Sequence, residues 1–433
     1  MVTNTTMRFQ RHADNINGLC QAGLKKHTGS DILATYTSAA SQHALRMSFV
    51  SNHDAQRFDN QAVSAWSALL DRNCDSQMFF LPLKKRGCGI ASAAHRRAVA
   101  PWTAWRSELP GVADRMGMPD VETLLQKCPR LAHQLTALQH TWAQQTGNHG
   151  FDSKTLRAAL GTDTNQQTLM LQLHNHMAQH IMSNADVVER SIHASQAVSH
   201  TGAHLQQPPM QGYEADYHVF SVSVARRLRI SHPAVAQPNQ VATHSPTMAA
   251  NKLVCGVQLD PMLKHCVTCA KGGGVAQRHA AVVRCLANII QKCKNTQARV
   301  EHWVPTMQRT AQGDQARPDV VLFDKAGPAD LVVAIVAPYS ADAALMADAA
   351  AKPGYMARRA DINKFSRYPG HKLIPFVLDT TGRRGEHATP FLQRLAADHA
   401  PQSVVVRVIV SCIQGVLPGT ISQQQLAAAQ GAG

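Results

Sequence analysis

Two short apolar runs constrain this chain more than any other feature. They are R-P-D-V-V-L-F, Arg317 to Phe323, and L-V-V-A-I-V-A, Leu331 to Ala337. Both are β-branched and too short for a typical helix, so they predict buried strands. Asp324, Lys325, Ala326, Gly327 and Pro328 lie between them and predict a hairpin-like turn. Asp319 stands at the head of the first strand, where a carboxylate buried without a partner would be costly.

The flanking segments extend the pattern. Ala280 to Cys293 sets Val282, Leu286, Ile289 and Cys293 on one helical face. Arg299 to Val304 reads as a strand, Met356 to Tyr368 as a helix and Leu373 to Leu378 as a further strand. The order is therefore helix, three strands, helix, strand. Upstream the chain reads helical. Leu33 to Met47 has few breakers, and Ala62 to Leu70 carries a stripe of Val63, Trp66, Leu69 and Leu70. A Pro/Gly loop, Leu81 to Ile90, leads into an amphipathic helix with Arg96 and Arg97 on one side. Val121 to Leu138, Leu169 to Ile192 and Val219 to Leu228 also read as helices. Residues 231–250 have linker composition, and the tail from Gln423 is expected to fray. The fold class expected is α+β, with 433 residues enough for two to four domains.

Lys and Arg number 43 against 28 Asp and Glu, a formal charge of +15. That excess points to a polyanionic partner, the plain alternative being a basic protein with a solvated surface. Between Pro261 and Val300 there are seven Lys/Arg and no acidic residue, with Gly272, Gly273 and Gly274 giving a backbone able to approach a phosphate. Five of the ten Cys fall between Cys255 and Cys293. Zinc takes four soft or borderline ligands. Cys255, His265 and Cys269 offer three, Cys266 and Cys269 form a C-x2-C, and His279 or Cys285 could close the set; buried free thiols are the alternative. No signal peptide opens the chain and no apolar run approaches 18 residues. The expectation is an intracellular, reduced protein without a membrane span.

These motifs, taken in order, resemble the C-terminal region of non-LTR retrotransposon polyproteins. The L-P-L-K-K-R-G-C-G-I stretch, Leu81 to Ile90, and the helix ending at Trp105 resemble the end of the reverse-transcriptase region, with Cys88 where the family has Leu. Gly202, Ala203, Leu205, Pro208, Phe220, Arg227 and Leu228 match a following connector, with His204 in place of Trp. The Cys/His cluster resembles the family's knuckle, with Leu253 where its first Cys stands. The Pro318-Asp319 pair resembles the metal corner of a PD-(D/E)xK endonuclease. The resemblance implies four segments: 1–110, helical, the end of a reverse-transcriptase region; 111–250, a helical connector with linker, its basic helix touching phosphate; 251–295, the knuckle and basic helix; 296–433, a restriction-endonuclease-like αβββαβ domain with a mixed sheet.

It implies metal-assisted hydrolysis of phosphodiesters, with Mg²⁺ at Asp319, and target-site DNA cleavage in the nucleus, with DNA and element RNA as partners. The zinc ligands implied are Cys255, His265, Cys269 and His279. Glu301 is an auxiliary carboxylate in this scheme. The family's second carboxylate falls on Val332, which cannot bind Mg²⁺. Asp330 lies two residues away, about 6.6 Å along the strand, so impaired cleavage is expected. Asp361 and Lys364 match the family's helix pair and share a helix face at i, i+3; a surface ion pair is the plain alternative. The polymerase palm would lie upstream of residue 1, so no polymerase site is expected. The competing functions are a nucleic-acid-binding module without chemistry and a decayed reading frame.

Overall fold

The computed structural model describes residues 2–74, 77–152, 154–161, 165–198, 201–202, 205, 217–230, 268, 274–291, 297–300, 308–309, 314–315, 319–324, 327–338, 340, 342–368 and 373–398. Their contacts divide into two units, one of residues 1–85 and 89–184, the other of 86–88 and 185–433. The protein is α+β: helices fill the first unit, and the second adds a mixed sheet.

The first unit is built on α1 (Val2–Gln21), α2 (Lys26–Met47), α3 (Asn52–Leu70), α4 (Ala93–Arg115), α5 (Val121–Lys127), α6 (Pro129–Thr146), the short α7 (His149–Asp152) and α8 (Leu156–Leu160), and α9 (Gln166–Ser183). Side chains start these helices by satisfying orphan amides. Ser51 accepts from Asp54 N at 3.1 Å and Ser92 from His95 N at 3.0 Å. Asp59 of α3 adds a second cap to α4, accepting from Ala93 N at 2.7 Å and Ala94 N at 3.1 Å. The core around α4 and α6 holds Val99, Trp102, Leu109, Leu135, Leu138 and Trp142. Phe151 sits edge-on to Trp142, with centroids 4.8 Å apart. Each large apolar side chain buried this way contributes roughly 1.5–3 kcal/mol.

Two helical segments are shorter than the apolar periodicity predicts. Val121 to Leu138 is not one helix but two, because Pro129 occupies the first turn of α6 and cannot continue α5. Leu169 to Ile192 also divides. Asp186 accepts from Glu189 N at 2.7 Å and starts α10 (Val187–Gln196) afresh.

The second unit contains α10, α11 (Tyr217–Leu228), α12 (Gly274–Gln291), β1 (Gln297–Val300), β2 (Gln308–Arg309), β3 (Asp314–Gln315), β4 (Val320–Asp324), β5 (Gly327–Val336), α13 (Ala343–Ala351), α14 (Tyr355–Arg367), β6 (Leu373–Asp379) and α15 (Ala388–Asp398). The four-stranded sheet runs β1-β4-β5-β6. β1–β4 and β4–β5 are antiparallel and β5–β6 parallel. The parallel pair requires a crossover, and α13 and α14 lie between its strands in sequence. β2 and β3 form a separate small hairpin. Val282, Leu286 and Ile290 of α12 pack with Val320, Leu322, Val333, Phe376 and Leu378 of the sheet and Phe391 and Leu392 of α15. Val321 and Val377, which alternate with these core positions, are buried as well. Both faces of the sheet are therefore covered, and α14 packs against β5 and β6.

The hairpin is tighter than the sequence predicts. Pairing reaches Asp324 opposite Gly327, so Gly327 to Asp330 belong to the strand and the connection shrinks to residues 325–326. Two-residue connections suit the twist of antiparallel strands.

Candidate functional site

Asp319 lies immediately before β4, and its carboxylate is held between two elements. Oδ2 accepts from Val333 N of β5 at 2.7 Å. Oδ1 is 3.3 Å from His279 Nε2 on α12, and the same Nε2 is 3.2 Å from Val333 O. A nitrogen facing a carboxylate and a carbonyl has only acceptors before it, so Nε2 carries the proton and donates. The hydrogen bond to Asp319 is the largest influence on His279 and raises its pKa. Burial opposes it, the Asp319 charge and the Val333 carbonyl add to it, and the Lys364 charge works against it. Lys364, half-buried on α14, is thus within electrostatic reach of His279. Asp319, His279 and Lys364 are gathered at one end of the β4–β5 pair.

The other expected acids are arranged differently. The β4–β5 register pairs Val320 with Leu331 and Val321 with Asp330. Continued by one residue it sets Asp319 opposite Val332, and Asp330 falls two rungs further along. Asp361 is buried and turned to the loop before α15. Its Oδ2 accepts from Glu386 N at 2.8 Å and lies 3.7 Å from His387 Nδ1. Burial raises the Asp361 pKa, against the Glu386 amide and His387. Gly385 makes room for this carboxylate: a Cβ there would sit 2.5 Å from Asp361 Oδ2. The partners of Asp361 Oδ2 are thus in the 385–387 loop, while Lys364 lies within electrostatic reach of His279.

Of the expected zinc ligands, Cys255, His265 and Cys269 lie outside the described residues, as does Glu301. His279, the fourth, is placed against Asp319, and Cys285 is buried and outside any disulfide. Among the described residues no group of three or more His, Cys, Asp or Glu could hold a metal ion. The His279–Asp319 contact was missed in the sequence, although a signal existed. His279 stands three, seven and eleven residues before Val282, Leu286 and Ile290, on the stripe that faces the sheet.

At the basic end of α11, where phosphate contact was expected, Arg227 is internal while Arg226 and Arg229 are partly exposed. Arg227 is 1% exposed. Its Nε donates to Gly87 O at 2.8 Å and its Nη1 to Thr201 Oγ1 at 3.4 Å. Arg86 is equally buried and donates to Arg227 O at 3.1 Å and to Glu189 Oε2 at 3.2 Å. Arg229 Nε meets the same Glu189 oxygen at 3.1 Å. Among the described residues no helix is long and apolar enough to cross a membrane. Comparison with protein-family models and with curated protein sequences gives no match to this chain.

Proposed function

We propose that this protein is a nucleic-acid-binding protein of retrotransposon origin, with a restriction-endonuclease-like second unit in which phosphodiester hydrolysis is impaired. One observation carries the reading. Asp319 is fixed at the head of an inner strand, with His279 on one of its oxygens and Lys364 within electrostatic reach of that histidine, in a sheet of order β1-β4-β5-β6 whose last pair is parallel. A mixed sheet with an acid at a strand head and a lysine nearby is what the resemblance to such nucleases implies, and it supports the reading.

The described residues do not fit a resident Mg²⁺ at this corner. A hard cation needs several oxygen ligands. Val332 offers none, Asp361 Oδ2 is bound by the 385–387 loop, and both Asp319 oxygens already face hydrogen-bond donors. The chemistry left to the site is electrostatic: Lys364 attracts a phosphodiester, and Asp319 keeps His279 oriented. In this reading DNA and element RNA are the partners and the nucleus is the place of action. A binding module without chemistry is the second reading, favoured by the donors already occupying Asp319.

Nicking of supercoiled plasmid with Mg²⁺ or Mn²⁺ tests the proposal, with filter binding alongside. Slow nicking lost in Asp319→Ala supports the impaired nuclease. Salt-sensitive binding without nicking supports the module. A protein that neither binds nor nicks overturns both.

A further inference from the structure

The first unit holds an open cavity of about 710 Å³ between α2, the loop before α4, the start of α4 and α9. Small-ligand pockets run to roughly 300–1,000 Å³. Gln42, Phe80, Arg96, Gln167, Met170 and His174 carry its chemistry, and no acidic residue lines it. Arg96 Nη1 is spent on Ser38 O at 3.4 Å and Gln42 Oε1 at 3.0 Å, which fixes the guanidinium in the wall. Its Nε and Nη2 keep no partner among the described residues. Asp59 of α3 is within electrostatic reach of Arg96 and supports its charge, while its oxygens are hydrogen-bonded to Ser92 Oγ and the Ala93 and Ala94 amides.

His174 reports the same excess of positive charge. Burial, then Arg96 and Lys85, hold its pKa down to about 4. His95 of α4 lies beside it, with ring centroids 6.2 Å apart, and burial followed by His174 holds it to about 4 as well. A neutral imidazole presents one donor and one acceptor. Phe80 and Met170 add apolar lining, and a base stacks on an aromatic side chain whatever its sequence.

We propose that this cavity binds a nucleotide: Arg96 and Lys85 supply charge for the phosphate, His174 and Gln167 hydrogen-bond it, and Phe80 and Met170 carry the base. The phosphate can come from a free nucleotide or from the 5′ end of a strand. The site belongs to the first unit and does not depend on the chemistry at Asp319.

Calorimetric titration of the full chain with adenosine 5′-monophosphate, inorganic phosphate and adenosine tests it. Binding of the monophosphate should exceed that of adenosine by at least about tenfold, about 1.4 kcal/mol. Gln167→Glu puts a negative charge at an exposed position and should weaken the monophosphate by a similar factor. Arg96→Lys loses the fixed fork and should do the same. In ring-proton spectra the monophosphate should raise the titration of His174, against the charges facing it from Arg96, His95 and Lys85; Asp59 of α3 faces Arg96. A 5′-phosphorylated oligonucleotide that binds better than its 5′-hydroxyl form, and loses the advantage in Gln167→Glu, names the strand end as the source. Binding of the monophosphate alone names the free nucleotide. No monophosphate binding at about 10 mM, a level far weaker than working ligand sites, overturns the proposal. So does binding unchanged in Gln167→Glu, whether or not Arg96→Lys folds.

Discussion

Replacing Asp319 in two ways separates what its charge does from what its oxygen does. Two unit charges 3.3 Å apart attract by about 5 kcal/mol at an effective dielectric of about 20 and about 1.3 kcal/mol in water. The His279 and Asp319 side chains are 36% and 19% exposed, so screening leaves about 1 kcal/mol for the pair. Asp319→Asn removes the charge but keeps an oxygen for Val333 N, and should cost about 1 kcal/mol. Asp319→Ala also strands the Val333 amide, on a residue 1% exposed, adding about 1–3 kcal/mol. The alanine variant should therefore lose about 3 kcal/mol in all. Urea unfolding reports both values, and proton spectra of the His279 ring report the charge. The histidine titration should fall in both variants, since the Asp319 bond is its main support. The sign of the pH effect follows. His279 has a raised pKa, so the pair's contribution is full below the unfolded value of 6.5 and is lost as pH rises through the folded value. The Asp319→Asn cost should thus be full below about pH 6.5 and shrink as pH rises above it. Equal stabilities for the two variants, or a His279 titration unmoved by Asp319→Asn, would refute this account of the corner.

Other substitutions test the scaffold. Arg86→Ala removes a buried cationic partner of Glu189, so denaturant unfolding should show a loss of about 3–5 kcal/mol. Asp59→Ala strands the Ala93 and Ala94 amides at the start of α4 and should cost about 3 kcal/mol, with Asn recovering part of it. Gly385→Ala forces a methyl against Asp361 Oδ2 and should cost about 1–3 kcal/mol, read as a lowered melting temperature. His95 and His174 have pKa values depressed to about 4. The unfolded chain therefore binds more protons between about 6.5 and about 4, and stability should fall as pH drops through that window. The double variant His95→Phe, His174→Gln should flatten the acid limb of a pH–stability curve.

The sequence made the β4–β5 hairpin legible because short β-branched runs bury well in few other ways. It did not show how far the ladder extends. Gly327, Pro328 and Asp330 carry no apolar signal, yet the backbone of a strand pairs whatever its side chains are. The helix breaks at Pro129 and Asp186 were written in the chain as a first-turn proline and a capping carboxylate, and apolar periodicity across them masked both. The site was half legible. Spacing placed Asp361 and Lys364 on a common stretch of α14, but spacing says nothing about which neighbour receives each side chain. The absence of a Cβ at Gly385 is what draws Asp361 away. His279 was read by its residue type, as a ligand, when its place on the apolar stripe already aimed it at the sheet.

The net charge of +15 is weaker support for a polyanionic partner than it first looks, because part of it is internal. Arg86, Arg227 and Arg278 are each 1–2% exposed. Burial lowers the pKa of Arg86 and of Arg227 to about 10, which still leaves both charged at neutral pH. Arg86 is stabilised by Glu189 and by the Arg226 and Arg227 carbonyls at the end of α11. Those carbonyls are among the acceptors a helix leaves unsatisfied at its C-terminus, where the dipole also favours a cation. Such arginines hold the second unit together and are not available to phosphate. The argument for nucleic acid therefore rests on cations that solvent reaches, such as Arg358, Arg359 and Arg367 on α14. The helix that carries them also carries Lys364, so the same element joins exposed basic residues to the corner at Asp319.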